Sequence, residues 1–129
     1  MTTADVTRAG GPLFWEPLGP DGIARIRYAV GDIVTEDLAR ATMVEFKALA
    51  RGKRLPALVD IRLMKSVTRE ARAVFGNAGD SFSALALLAS SPRTQLIANF
   101  FLGLSRPQVP RQMFTDEEKA VAWLRRHAV

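Results

Sequence analysis

The sequence contains no cysteine and only one histidine. Without cysteine, the chain has no disulfide framework, no thiolate zinc site and no thiol nucleophile. The histidine, His127, stands close to the C-terminus, where a lone imidazole lacks the partners of a catalytic triad or metal site and is explained as a helix-end cation. These absences remove thiol chemistry and paired-histidine chemistry, and the lack of cysteine favours a cytoplasmic protein.

Long apolar runs are also absent. No run approaches the ~20 residues of a membrane-spanning helix, and residues 1–11 lack the basic and apolar regions of a secretory signal. We expect residues 1–11 to be a flexible N-terminus. The remaining residues, 12–129, belong to a chain that is 48% hydrophobic and suffice for one packed domain.

Phosphate-binding glycine loops are missing as well. Gly10-Gly11 precedes the first predicted strand and leads into Pro12, so it does not open a phosphate-binding helix, and no Walker motif or dinucleotide fingerprint occurs. We therefore expect no cofactor.

The formal net charge is +5, from 18 basic and 13 acidic residues. The basic residues are spread among the acids, which argues against a nucleic-acid-binding surface. The densest group, Arg51, Lys53 and Arg54, follows a predicted helix, where the helix dipole favours cations whatever the function.

Hydrophobic periodicity predicts an opening β-hairpin followed by alternating helices and strands. In the second hairpin run, Ala24, Ile26, Tyr28 and Val30 are expected to face the core. The predicted elements are a hairpin of Leu13–Leu18 and Ile23–Val30, a helix from Thr35 to Arg51, a strand over Pro56–Leu63, a helix capped by Thr68 and ended by Gly76-Asn77, a strand over Phe82–Ala89, a helix from Ser91-Pro92 through Leu104, an edge strand over Arg111–Phe114, and a last helix with a Thr115/Glu118 capping box. This order predicts an α/β domain with a mostly parallel sheet of about five strands and about four helices.

From about Leu13 to the end, the chain resembles the SpoIIAA-like fold shared by STAS domains, which include anti-sigma-factor antagonists and transporter tails, and by the lipid-binding lobe of Sec14-type proteins. It is most similar to small bacterial proteins described as STAS/Sec14-like. The resemblance implies binding or regulation in place of catalysis. Its motifs are Leu58-Val59-Asp60-Ile61-Arg62 with Thr68-Arg69-Glu70-Ala71-Arg72, Ser91-Pro92 with Ile97-Ala98-Asn99-Phe100-Phe101, and Pro110, Phe114 and Ala122-Trp123-Leu124.

The antagonist branch of that fold carries an Asp-Ser-Ser-Gly stretch whose serine is phosphorylated at a helix N-terminus. Asp60 fits the strand-end acid here, but Lys65-Ser66-Val67-Thr68 stands where that stretch is expected, so the phosphorylation switch does not carry over directly.

Lys65, Ser66, Thr68 and Arg69 form a candidate anion-binding or phospho-acceptor segment, because they lead into a helix whose free amides attract negative charge. The alternative is a loop serine followed by an ordinary helix cap.

Asp60 has two interpretations. It forms an acid/base pair with Asp32, since sites in parallel sheets gather at strand carboxyl ends, or it accepts hydrogen bonds from loop amides or pairs with Arg62.

The Ser91 helix carries more apolar surface than one core stripe, because Phe100 and Phe101 project about 100° apart. With Leu96 and Leu104, they are candidates for an apolar-ligand cleft or for an interface with a second copy of the chain, and the edge strand Arg111–Phe114 is a further candidate for self-association.

We expect a non-enzymatic binding or regulatory module, without catalytic or metal-ligating residues, that acts through protein–protein contacts and forms a homodimer. The alternatives are a carrier of a small apolar or lipid-like ligand in a cleft under the Phe100 helix, and an enzyme whose site the sequence does not reveal.

Overall fold

The computed structural model describes residues 14–15, 21–78, 81–103 and 109–127. The predicted N-terminal segment, residues 1–11, and the residues of the hairpin turn before Asp21 lie outside these ranges, as does Leu104. Within the described residues the elements are β1 (Phe14–Trp15), β2 (Ala24–Arg27), β3 (Ile33–Val34), α1 (Glu36–Ala50), β4 (Leu55–Asp60), β5 (Ser66–Val67), α2 (Arg69–Gly76), β6 (Phe82–Leu88), α3 (Pro92–Leu102), β7 (Arg111–Phe114) and α4 (Glu117–His127).

The main sheet has five strands in the order β1-β2-β4-β6-β7. Strands β2, β4, β6 and β7 are parallel, and β1 is antiparallel to β2. The predicted opening hairpin, the mostly parallel sheet and the α/β class are thus confirmed. Because the four parallel strands end at the same edge of the sheet, the loops that follow them lie together; we call this end the carboxyl edge.

Helices cover both faces of the sheet. Helices α1, α2 and α3 share one hydrophobic core with Ala57 of β4 and with Ile61, which directly follows β4, and α4 covers the opposite face over Leu58. Strand β6 alternates in the same way: Leu87 faces the three helices, whereas Ala86 faces α4. Burial on both faces explains why β4 and β6 read as almost continuous apolar runs.

Small side chains on β6 allow α4 to lie close to the sheet. Ala84 and Ala86 are fully buried beneath Ala120 and Leu124. Trp123 lies beside Phe114 of β7, with 5.6 Å between the ring centroids. Helix α4 therefore packs closely against this face of the sheet.

Three of the predicted helix caps are confirmed, and one is not. Thr35, Thr68 and Ser91 each accept a backbone N–H in the first turn of α1, α2 and α3. The Thr115/Glu118 capping box was a wrong prediction: Asp116 Oδ1 accepts the Lys119 N–H at 3.2 Å, so the cap is Asp116. An aspartate serves as well as a threonine there, and it places the first helical residue at Glu117.

Two further predictions need correction. Strand β4 ends at Asp60 and not at Leu63, because the Asp60 carboxylate accepts the Arg62 N–H and bends the chain into a turn. Val30, predicted to face the core, is 79% exposed, since β2 ends at Arg27 and Val30 belongs to the following loop.

Loss of buried apolar volume under α4 should destabilise the fold. Leu124→Ala removes a side chain that is 0% exposed, and we expect the free energy of unfolding to fall by about 2–5 kcal/mol. Leu96→Ala is the matched control, because Leu96 is 71% exposed and the same change there should cost less than about 0.5 kcal/mol. Urea unfolding of both variants measures the difference, and equal losses would contradict this description of the core.

Candidate functional site

Two arginines and two carboxylates meet where the carboxyl edge joins the α4 face. Arg27 ends β2, Asp60 ends β4, Arg62 follows β4 and Glu117 begins α4. Arg27 donates to both acids, through Nη1 to Asp60 Oδ2 and through Nη2 to Glu117 Oε2, each at 2.8 Å. We call these four residues the arginine–carboxylate cluster.

Asp60 is the centre of this cluster. Its Oδ1 accepts the Arg62 backbone N–H at 3.1 Å and Arg62 Nε at 3.0 Å, and its Oδ2 accepts Arg62 Nη2 and Arg27 Nη1 at 2.8 Å. Burial alone would raise the pKa of Asp60, but the hydrogen bonds and charge of Arg62, together with Arg27, outweigh it and hold the pKa below its ordinary value.

The pairing of Asp60 with Arg62, one of its two predicted interpretations, is what the structure contains. Asp32 has its own partner, because its Oδ2 accepts the Ala29 N–H at 2.7 Å. Asp60 thus stays ionised and hydrogen-bonded to both arginines. Through Arg27, it connects the ends of β2 and β4 to the start of α4. An acid/base role would require it to exchange these bonds for a substrate.

The predicted anion segment lies at the carboxyl edge, but it is not a free loop. Ser66-Val67 forms β5, which pairs in parallel with β3. The Lys65 N–H donates to the Asp32 carbonyl at 2.8 Å and the Thr68 N–H donates to the Val34 carbonyl at 3.0 Å.

The side chains of the segment divide into two groups. Thr68 Oγ1 accepts the Ala71 N–H at 3.1 Å, as a helix cap does, whereas Lys65 and Arg69 are exposed. Several amides near the helix start are therefore already bonded, and anion binding or phosphorylation at Ser66 or Thr68 stays a prediction.

An exposed apolar surface that the sequence interpretation missed lies on the same loops. Val30, Ile33 and Leu63 are 79%, 47% and 54% exposed. Their loops are joined by the Gly31 N–H, which donates to the Leu63 carbonyl at 2.8 Å, and by the β3–β5 pair. We call these three residues the apolar loop patch. The signal in the sequence was the pair of aliphatic residues Val30 and Ile33 on either side of Gly31-Asp32, a turn-forming dipeptide. In the structure Gly31 has a φ of 76°.

A small apolar cavity lies between α1–α3 and the sheet. Its volume is about 60 Å³, and Ile26, Val59, Leu87 and Phe101 are among its lining residues. Phe101 was predicted to line a cleft; Leu96 and Phe100 do not line this one, and Phe100 is 37% exposed.

The polar groups of the cavity are mostly bonded to each other. The Thr42 hydroxyl donates to the Leu38 carbonyl at 2.8 Å, so the Tyr28 hydroxyl donates to Thr42 Oγ1 at 2.9 Å. Burial raises the pKa of Tyr28, which keeps the phenol protonated. Arg111 also lines the cavity and donates to the Phe101 carbonyl at 3.4 Å.

Comparison of the chain with known protein families gives one match. The model of the family described as "Domain of unknown function (DUF7793)" matches residues 18–128. The chain belongs to this family. No curated protein matches the DUF7793 chain.

The fold of the DUF7793 domain has a counterpart in a solved structure. An uncharacterised protein of the DUF3478 family from Shewanella loihica PV-4, described as having a SpoIIAA-like fold, aligns with a TM-score of 0.64 over 85% of this chain and 90% of that one. The two sequences are 20% identical, so the likeness concerns the fold alone. It confirms the SpoIIAA-like fold that the sequence motifs implied.

Within the described part of the DUF7793 domain, no helix combines the length and the hydropathy needed to cross a bilayer. The same residues contain no group of three histidine or acidic side chains arranged to hold a metal ion.

Acid should weaken the domain through Asp60. Because the folded-state pKa of Asp60 lies below the unfolded value near 3.9, its contribution is present above about pH 4 and is lost as the pH falls through the folded pKa. We expect Asp60→Asn to cost about 3 kcal/mol at pH 7 and to flatten this acid-dependent loss.

Urea unfolding from pH 7 to pH 2.5 tests this expectation. Asp37→Asn, a change at an exposed carboxylate in the first turn of α1, serves as the control and should keep the wild-type slope. A variant at Asp60 that follows the wild-type curve throughout would disprove the structural role of the cluster.

Proposed function

We propose that the DUF7793 domain is a non-enzymatic protein-binding module whose contact surface is the apolar loop patch at the carboxyl edge. The observation that carries this proposal is the exposure of three large aliphatic side chains on two chain segments, the loop after β2 with the start of β3 and the loop after β4, that are hydrogen-bonded to each other. Isolated exposed apolar residues are common on protein surfaces, but a group of them on neighbouring loops is typical of an interaction site.

The loops are held in shape before any partner arrives. The Gly31–Leu63 bond, the Lys65–Asp32 bond and the Thr68–Val34 bond all join main-chain groups. A partner that binds this patch therefore orders little backbone, and less of the interaction free energy is lost to conformational entropy. Lys65, which is exposed, and Arg62, which is half-buried, provide a polar rim beside the aliphatic side chains.

The proposal of a binding role also rests on the state of the strand-end acid. Asp60 accepts four hydrogen bonds in the arginine–carboxylate cluster, and its pKa is lowered, which suits a structural anion better than a general base near neutral pH. The SpoIIAA-like fold is compatible with a binding role, because the resemblance to STAS domains also implies binding or regulation.

Site-specific photo-crosslinking in the native host tests the patch. A photoreactive benzophenone amino acid at Leu63 should crosslink to a discrete protein. The same group at Lys53, an exposed residue in the loop after the C-terminal end of α1, should not crosslink to it. With that protein purified, Leu63→Ser should weaken binding about tenfold or more. Val44→Ser, at an aliphatic side chain 65% exposed on α1, should leave it unchanged. Equal effects of the two substitutions would refute the proposal.

A carrier of a small apolar ligand is a second candidate, favoured by the cavity between α1–α3 and the sheet. Its 60 Å³ is enough for a very small molecule and is well below the ~150 Å³ that holds benzene in an apolar cavity. A lipid-like ligand would therefore require α2 or α3 to move away from the sheet.

Native mass spectrometry of protein purified from its host tests the carrier. A retained apolar compound is expected in wild type and should be lost in Leu85→Phe, which fills the cavity. Val121→Phe adds comparable volume on the opposite, α4 face and should retain the compound. If wild type carries nothing, or if Leu85→Phe carries as much as wild type, the carrier function is wrong.

A further inference from the structure

The outer side of α3 is unusually apolar for an exposed surface and carries an arginine. Arg93, Leu96 and Phe100 follow one another at helical spacing of three and four residues, which places them on one side of the helix. Leu96 is 71% exposed and Phe100 37%, whereas the adjacent Phe101 is buried in the core. Packing in the core therefore does not explain why the residues at positions 96 and 100 are apolar.

Helix α2 lies beside this surface and adds positive charge to it. The rings of Phe75 and Phe101 meet edge to face with 5.5 Å between centroids, and the guanidinium carbon of Arg72 lies 4.4 Å from the Phe100 ring centroid. Arg69, exposed, stands one helical turn before Arg72 on the same side of α2. Arg69, Arg72, Arg93, Leu96 and Phe100 together form what we call the α2–α3 face.

The guanidinium of Arg72 lies over the Phe100 ring and is incompletely hydrogen-bonded. Its Nε is buried and has no hydrogen-bond partner, although a buried polar atom is normally bonded. Stacking on Phe100 holds the guanidinium plane in place, so its donors are oriented before any ligand binds. A carboxylate matches that planar arrangement of donors.

Among the residues of α2 and α3, acids do not offset this charge on the face. Helix α3 contains no acid. The one acid of α2, Glu70, lines the groove between α2 and α1 with Ala73 and Asn77, about 160° around the helix from Arg72. The α2–α3 face thus combines three cations with two exposed apolar side chains.

We infer that the α2–α3 face binds an acidic, amphipathic segment of a partner protein, with carboxylates on the arginines and apolar side chains on Leu96 and Phe100. Arginine and aromatic residues are enriched in the centres of protein interfaces, and the charge of this face selects an acidic partner. A membrane surface fits less well, because two apolar side chains, one of them beneath a guanidinium, offer little area to bury among lipid chains. This surface is separate from the apolar loop patch.

A designed peptide of alternating Glu-Glu-Leu-Leu units serves as the probe, and its Lys-Lys-Leu-Leu counterpart serves as the control for charge. By fluorescence anisotropy, the wild type should bind the acidic peptide at least tenfold more tightly than the basic one, and added salt should weaken binding. In amide NMR spectra, the shifts caused by the acidic peptide should fall on Arg93 to Phe100 and on Arg69 to Arg72.

Substitutions on the face distinguish the possible results. Arg93→Gln, at an exposed position, and Arg72→Gln should together weaken binding at least tenfold, whereas Lys47→Gln on exposed α1 surface should change it less than twofold. Leu63→Ser should have no effect, which separates this face from the loop patch. Equal affinity for both peptides, or shifts elsewhere, would overturn the inference. Binding to vesicles with phosphatidylglycerol, but not to those with phosphatidylcholine or to the acidic peptide, would overturn it in favour of a membrane contact.

Discussion

The carboxylate of Asp60 is the constraint on which the carboxyl edge depends. By accepting hydrogen bonds from Arg27 and Arg62, it joins the ends of β2 and β4, and through Arg27 it reaches Glu117 at the start of α4. By accepting the Arg62 backbone N–H, it also ends β4. The chain then turns toward β5, so the start of the loop after β4 depends on this one buried anion and its two cations.

The sequence predicted the architecture well because its signals were local and strong. Continuous apolar runs identified β4 and β6, and helix caps at Thr35, Thr68 and Ser91 agree with the structure. Each of these features depends on residues within a few positions of one another. For that reason no knowledge of the tertiary structure was needed to predict them.

The candidate site was less predictable because its parts meet only in the folded chain. Arg27 and Asp60 are 33 residues apart, and Arg27 and Glu117 are 90 apart. The β3–β5 pair consists of two residues in each strand, too few to show a period of two. Val30 was assigned to the core because alternation was extended beyond the true end of β2; only the loop that follows explains its exposure.

The joining of the loops by main-chain atoms has a consequence for specificity. Since the Gly31–Leu63, Lys65–Asp32 and Thr68–Val34 bonds use only backbone groups, the exposed side chains of Val30, Leu63 and Lys65 take no part in joining the loops. Substitutions at Val30, Leu63 or Lys65 can therefore change the chemistry of the surface while the scaffold keeps its shape. Proteins with this loop pairing can diverge in the partners they recognise without first acquiring a new backbone conformation.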